Sequence, residues 1–213
     1  RIESSYKTVS ADSIGGSLTV RATSSPLIIR NVAGDVEART SYKRISIDEA
    51  GGAVEVEGES CEVFISHADG DVSVMSSYKE VAIEDVEGNV KVKSDSAPVT
   101  VADVRGAVEI TSTYKPLLIR DVKGYVLLDG KSCRVEANNI GGNLEVRNSY
   151  KEVNLSRTRG SIRVYGENSP VHVRDVEELP ARGEIRIETT YKDVDLSLPA
   201  EAEVVIRART PHG

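Results

Sequence analysis

Glycine returns every 18 residues through most of this chain. Gly16, Gly34, Gly52, Gly70, Gly88, Gly106, Gly124, Gly142 and Gly160 form an unbroken series, and Gly183 follows after 23. A second marker doubles that period. Tyr-Lys occurs at Tyr6-Lys7, Tyr42-Lys43, Tyr78-Lys79, Tyr114-Lys115 and Tyr150-Lys151, each 36 residues after the last, and Tyr191-Lys192 follows after 41. The unit is therefore 18 residues, and two alternating versions of it make 36. A fixed period without a helical pattern predicts a solenoid, in which each lap packs only on its neighbours.

Inside each unit apolar residues alternate with polar ones. Val81 and Ile83 are followed by Val90 and Val92, then Val99 and Val101 by Val108 and Ile110. A period of two means a strand with one buried face, and valine and isoleucine suit that pleated surface. A third inward residue stands two before the glycine, as in Ile14, Val32, Val86, Val104, Val122, Ile140 and Val176. The alternation breaks twice per unit, on either side of the first strand, and breaks of this kind re-aim the chain into corners. Pro26, Pro98, Pro116 and Pro170 share the slot just before a strand's first inward residue, where a missing N–H costs least. The glycine slot requires either a small residue or a positive φ at a corner.

The expected fold is all-β: a single-stranded, right-handed parallel β-helix with about 18 residues per coil. Each coil carries two main strands and a short third segment. Roughly eleven coils at about 4.8 Å per step make a rod of about 50 Å. Right-handed connection is the default for parallel strands. The left-handed hexapeptide helix is rejected, because one of its three apolar slots would hold Thr8, Pro26, Arg44, Glu62 and Glu80.

The unbroken register predicts one domain over residues 1–213. Ile2 already fills a core slot, and Thr210-Pro211-His212-Gly213 resembles the entry to another coil, so the sequence reads as a segment of a longer protein. Glu178-Leu179-Pro180-Ala181-Arg182 is the one insertion, read as a loop. Asp193 to Pro199 is read as a strand, Ala200 to Glu203 as a turn and Val204 to Ala208 as a further strand. The core is aliphatic, since aromatics make up 4% of the chain. A formal net charge of −7 disfavours nucleic acid, which wants a basic face. No run of 18 apolar residues exists, so no membrane span is expected in this segment. Cys61 and Cys133 lie four coils apart, about 19 Å along the rod, and a disulfide needs Cα atoms within about 7 Å. They share a slot with Ser25, Ala97 and Ser169 and read as small corner residues.

The slot of the tyrosines alternates Tyr with Ser or Asn: Tyr6, Ser24, Tyr42, Ser60, Tyr78, Ser96, Tyr114, Ser132, Tyr150, Asn168, Tyr191. Strand parity places the rings inward, closing one corner of the core with the hydroxyl reaching water. An aromatic platform for sugars is the functional alternative. Beside the rings runs a lysine row in which Lys43, Lys79, Lys115 and Lys151 form a possible polyanion-binding edge with a step of about 9.6 Å. The opposing reading is solvated charge, supported by acids at the other corner: Glu49, Asp85, Asp103, Asp121 and Asp175. His67, His172 and His212 fall in different slots, and Arg30, Arg120 and Arg174 share a slot with Asp48 and Glu84. No catalytic motif appears and the loops are minimal, so catalysis, cofactor and metal are not expected. The paired glycines Gly15-Gly16, Gly51-Gly52 and Gly141-Gly142 lack the aspartates of a calcium-binding β-roll.

Units such as Asn148-Ser149-Tyr150-Lys151-Glu152-Val153 and Asp121-Val122-Lys123-Gly124-Tyr125-Val126, with the closing Asp193-Val194-Asp195-Leu196-Ser197-Leu198-Pro199-Ala200, carry a resemblance. The chain resembles, over nearly its whole length, the bacterial adhesin-like β-solenoids of the DUF4097/DUF2807 (GIN-domain-like) group. That group often has glycine where this chain has lysine after tyrosine. The resemblance implies a right-handed β-helix, a cell-envelope, periplasmic or extracellular location, and no established catalytic residues. The expected function is accordingly a non-enzymatic envelope or surface module, adhesin-like or scaffolding, whose partner is a cell-surface polysaccharide or another copy meeting it through the solenoid ends. A bactofilin-like, cytoplasmic, self-assembling scaffold is the first alternative, because open solenoid ends expose unpaired strands. A polysaccharide-binding or carbohydrate-active β-helix using the lysine edge is the second.

Overall fold

The computed structural model describes residues 1–177 and 183–199. Within them it is all-β, with twenty-two strands running from β1 (Ile2–Ser5) and β2 (Val9–Ile14) to β21 (Ile185–Thr189) and β22 (Val194–Leu196). Odd-numbered strands form one eleven-stranded sheet and even-numbered strands a second. Every pairing is parallel and joins a strand to the one two further along the chain. Val81 pairs with Val99 and Val90 with Val108, a shift of 18 residues. Ile162 pairs with Ile185, so the register survives the one longer step. Each coil therefore contributes one strand to each sheet, as the repeat requires.

The inward residues of the two sheets meet in one continuous aliphatic core from Val9 to Val176. Leu27, Ile45, Ile83, Leu117, Ile119 and Leu155 are among its largest fully buried side chains. Burying each contributes about 1.5–3 kcal/mol. The third inward residue is not a separate segment. It is the last residue of the six-residue strand in the second sheet, as in Leu27–Val32 and Val81–Val86. The residue before it drops out of the pairing: Glu84 pairs with Ala102 and Val86 with Val104, while Asp85 is skipped.

That skipped residue is left-handed, and so is one other in each coil. Among the described residues twenty-one non-glycine residues have φ between 50° and 64°, and they fall in two slots. One holds Asn31, Glu49, His67, Asp85, Asp103 and their equivalents. The other is the tyrosine slot. These are the two breaks in the alternation: a single left-handed residue reverses the parity and turns a corner. The glycines do something else. No glycine among the described residues has positive φ. Gly106 instead stacks backbone on backbone, its N–H 3.2 Å from the Gly88 carbonyl oxygen. A Cβ on Gly106 would lie 2.3 Å from that oxygen. The small-residue half of the expectation holds, and the positive-φ half does not.

The strand expected over Asp193–Pro199 is confined to Val194–Leu196. The loop expected at 178–182 and the turn and strand expected at 200–208 lie outside the described residues, as does the segment 210–213. No helix among the described residues is long and apolar enough to cross a membrane.

Candidate functional site: an exposed tyrosine–lysine ladder

The tyrosine rings point out, which corrects the expectation that they close the core. Tyr6, Tyr42, Tyr78, Tyr114, Tyr150 and Tyr191 are 58–76% exposed. The cause is the backbone. Parity places the slot inward only if the strand continues through it, and it does not: φ at these six tyrosines is 58–64°. In three of them the next amide closes back across the ring-bearing residue, with Lys79 N–H to Ser77 O, Lys115 N–H to Thr113 O and Lys151 N–H to Ser149 O, each at 2.8 Å. That is the hydrogen bond of a γ-turn, which with positive φ is the rare, strained form. The turn lifts both Tyr and Lys off the rod.

The intervening coils use the same left-handed backbone differently. Ser24, Ser60, Ser96, Ser132 and Asn168 occupy the slot. The residue after them turns inward, and Ser25, Cys61, Ala97, Cys133 and Ser169 have no exposed surface. Where a polar atom is present it takes over the bond that the lysine amide makes: Ser25 Oγ donates to Thr23 O at 3.1 Å, and Cys61 Sγ to Glu59 O at 3.3 Å. At three of the five the position beneath the buried side chain is glycine, Gly58, Gly130 and Gly166, and a Cβ on Gly58 would lie 2.9 Å from Cys61 Cβ; Ala22 and Ser94 hold it in the other two.

Side chains of the tyrosine coils lock these corners. The residue before the tyrosine accepts the left-handed residue's N–H from the neighbouring coil: Ser60 N–H to Ser77 Oγ at 3.3 Å, Ser96 N–H to Thr113 Oγ1 at 3.1 Å, Ser132 N–H to Ser149 Oγ at 3.2 Å. One residue earlier, Thr40 and Asn148 reach across. Asn148 Nδ2 donates to Cys133 O at 2.7 Å and to Lys151 O at 3.0 Å, tying a buried corner to an open one. Ser-Tyr-Lys is thus a mechanical unit: the hydroxyl caps the neighbour, the tyrosine turns the chain, and the lysine projects.

The result is a straight edge with one ring and one ammonium every second coil, a step of about 9.6 Å. Lys43, Lys79, Lys115 and Lys151 are all exposed on it. Among the described residues Lys91 is the sole lysine in an ion pair, with Glu109 at 3.2 Å. Several arginines of the faces behave otherwise: Arg39, Arg44, Arg105, Arg134 and Arg147 meet carboxylates. On the first-sheet side of the rings lie separate shallow depressions lined by tyrosine coils and intervening coils alike. One of about 460 Å³ includes Ser41, Gly58 and Ser77, and another of about 660 Å³ includes Ser149, Tyr165 and Gly166.

The other candidates do not converge with this edge. His67 lies at the opposite corner, its Nδ1 2.9 Å from Asp48 Oδ1 and its Nε2 3.5 Å from Asp85 Oδ2. The hydrogen bond to Asp48 raises its pKa and holds the Asp48 carboxyl below the usual range. His172 pairs with Asp195 at 2.8 Å, many coils away. His212 lies outside the described residues. Arg30 faces Asp48 across one coil step, while Arg120 and Arg174 stand in other coils. Both cysteines are free and buried, and burial pushes their thiols up. Among the described residues no group of three or more His, Cys, Asp or Glu side chains is placed to hold a metal ion.

Sequence reasoning missed the outward rings and the role of Asn148. A signal was present: the even members of the tyrosine slot are Ser and Asn, and Asn is among the few residues that enter the left-handed region readily. Compared with protein-family models, with curated proteins and with solved structures, the chain finds no match.

Proposed function

We propose that this chain is a non-catalytic display rod, an adhesin-like or scaffolding module of the cell envelope. One observation carries the reading: the chain repeats a single exposed aromatic and cationic surface in every second coil, at a backbone conformation that opposes it. A bulky residue at positive φ costs of order 1–3 kcal/mol. Serine or asparagine satisfies the same slot in the intervening coils, so neither the turn nor the core requires a ring there. Function that is spread along a rod is the work of binding and display, whereas catalysis concentrates unlike groups at one place. The resemblance to adhesin-like solenoids supports the same conclusion.

Fractionation of the native host cells tests the location. The protein is expected with the envelope, and cleavable by protease added to intact cells or to cells stripped of their outer layer. Recovery with the cytosol, protected from protease until lysis, would sink the envelope assignment.

A further inference from the structure

We propose that the tyrosine–lysine ladder is a track for a linear acidic polysaccharide with a disaccharide repeat. One sugar face stacks on each ring, and one carboxylate of each repeat meets each lysine. The inference deepens the display reading and rests on it only in taking the rod as a binding surface.

Two features select this ligand. The first is the pairing of group types. An exposed phenol ring offers a flat apolar face with a polar rim, which suits the C–H face of a pyranose and leaves its hydroxyls in contact with water. An ammonium without a protein partner suits a carboxylate. A ligand that satisfies both must carry rings and negative charge in alternation, and a uronate-containing glycan does.

The second is the step. Ring and ammonium recur together every two coils, about 9.6 Å. An extended glycan advances one disaccharide over a comparable length, so one uronate per disaccharide keeps register along the whole edge. The rungs are fixed by the sheet pairing, because Ile2, Val20 and Ala38 stack in successive coils and the same register continues to Ile187. A ladder set by backbone hydrogen bonds loses little order on binding a polymer, which favours affinity.

Multivalency supplies the test. Hyaluronan oligosaccharides of increasing length are titrated against the whole chain by calorimetry. Cello-oligosaccharides serve as the uncharged probe and polyphosphate as the ringless one. Affinity for hyaluronan is expected to rise with each added disaccharide and to level off once six are present, the number of exposed tyrosine rungs. Cello-oligosaccharides and polyphosphate are expected to bind far more weakly. Tyr78→Asn, Tyr114→Asn and Tyr150→Asn keep the left-handed backbone, as Asn168 does in the same slot. Each is expected to weaken binding about two- to tenfold. Lys79→Gln, Lys115→Gln and Lys151→Gln weaken it about two- to fivefold each, an effect that high salt erases. Tyr125→Ala, at an exposed ring off the ladder, leaves binding unchanged. Polyphosphate binding as tightly as hyaluronan, affinity independent of length, binding untouched when Tyr78→Asn, Tyr114→Asn and Tyr150→Asn are combined, or no binding of any probe would each overturn the proposal. None of these results bears on where the protein resides, so envelope location stands or falls on fractionation alone.

Discussion

The tyrosine corner exists in two versions that share one backbone conformation and treat the next residue oppositely. In coils carrying Tyr42, Tyr78, Tyr114 or Tyr150 the chain opens and Lys projects. In coils carrying Ser60, Ser96 or Ser132 it closes, and Cys61, Ala97 or Cys133 is sealed inside. The difference lies in what occupies the interior beneath. Gly58 and Gly130 make room for a buried corner, and Thr40 and Asn148 fill the space under an open one and bond across to its neighbour. At four of the five closed corners a polar side chain of the next, open coil bonds the buried residue's backbone: Thr40 at Ser25, Ser76 at Cys61, Asn148 at Cys133 and Thr189 at Ser169. At Ala97 the equivalent Ser112 hydroxyl has no partner. The 36-residue period is thus expressed in the packing between neighbours, and the exposed ladder is its outer face.

Forcing the closed corner to carry the open corner's residue is expected to have the largest effect. Cys133→Lys places an ammonium where no surface is exposed. The loss of stability in chemical denaturation is expected to exceed about 3 kcal/mol. A small loss would mean that any coil can open, and that the alternation is not set by packing.

Next in size is the tie between the two versions. Asn148→Ala removes the bonds to Cys133 O and Lys151 O. Leaving buried partners unsatisfied is expected to cost about 1–3 kcal/mol. The Lys151 turn is expected to loosen with it, visible as faster amide exchange at Lys151 than at Lys115.

Converting an open corner to the closed corner's residue goes the other way. Tyr114→Asn removes an exposed ring and relieves a left-handed backbone, so stability is expected to stay level or rise by up to about 1 kcal/mol. A loss of about 3 kcal/mol or more would show that the ring packs in the core.

The smallest effect lies at the other left-handed slot, where polar groups pair across coils without a core role. His67 has its pKa raised by the Asp48 hydrogen bond, with Asp48, Asp85 and Glu49 charges adding to it. The folded state then holds the proton more tightly than the unfolded one. The stabilisation is fully present below the ordinary imidazole value near 6.5 and is lost as pH rises through the raised value. Asp48 runs opposite: its carboxyl is held low, so its contribution is present above the ordinary value and lost as pH falls through the lowered one. Both groups are solvent-exposed and screened, so the change in melting temperature is small. Comparing the wild type with His67→Gln between pH 5 and 9 isolates it; an identical pH profile for the two would remove the coupling.

Much of the fold was legible because strand period and stacking period are both written into the chain. Val81, Ile83, Val90 and Val92 announce two half-buried strands, and the 18-residue glycine series announces the lap. The corner positions were legible too, as failures of alternation beside Val81 and Ile83. What a parity argument could not read was the direction of Tyr78. Parity assumes an extended backbone at every residue, and one left-handed residue inverts it. The lysine row was legible as a row. That it lacks ion-pair partners while Arg44 and Arg105 have theirs depends on which side chains of neighbouring coils meet, and spacing along the chain does not fix that.

Composition and period alone determined that this protein is a stack of parallel β coils around an aliphatic interior. Hydrophobic burial acts on every lap alike, so one lap predicts the rest. Only the tertiary structure decided that the aromatic residues are spent on the surface. That choice hangs on a single dihedral angle per coil, held by hydrogen bonds from the coil next door.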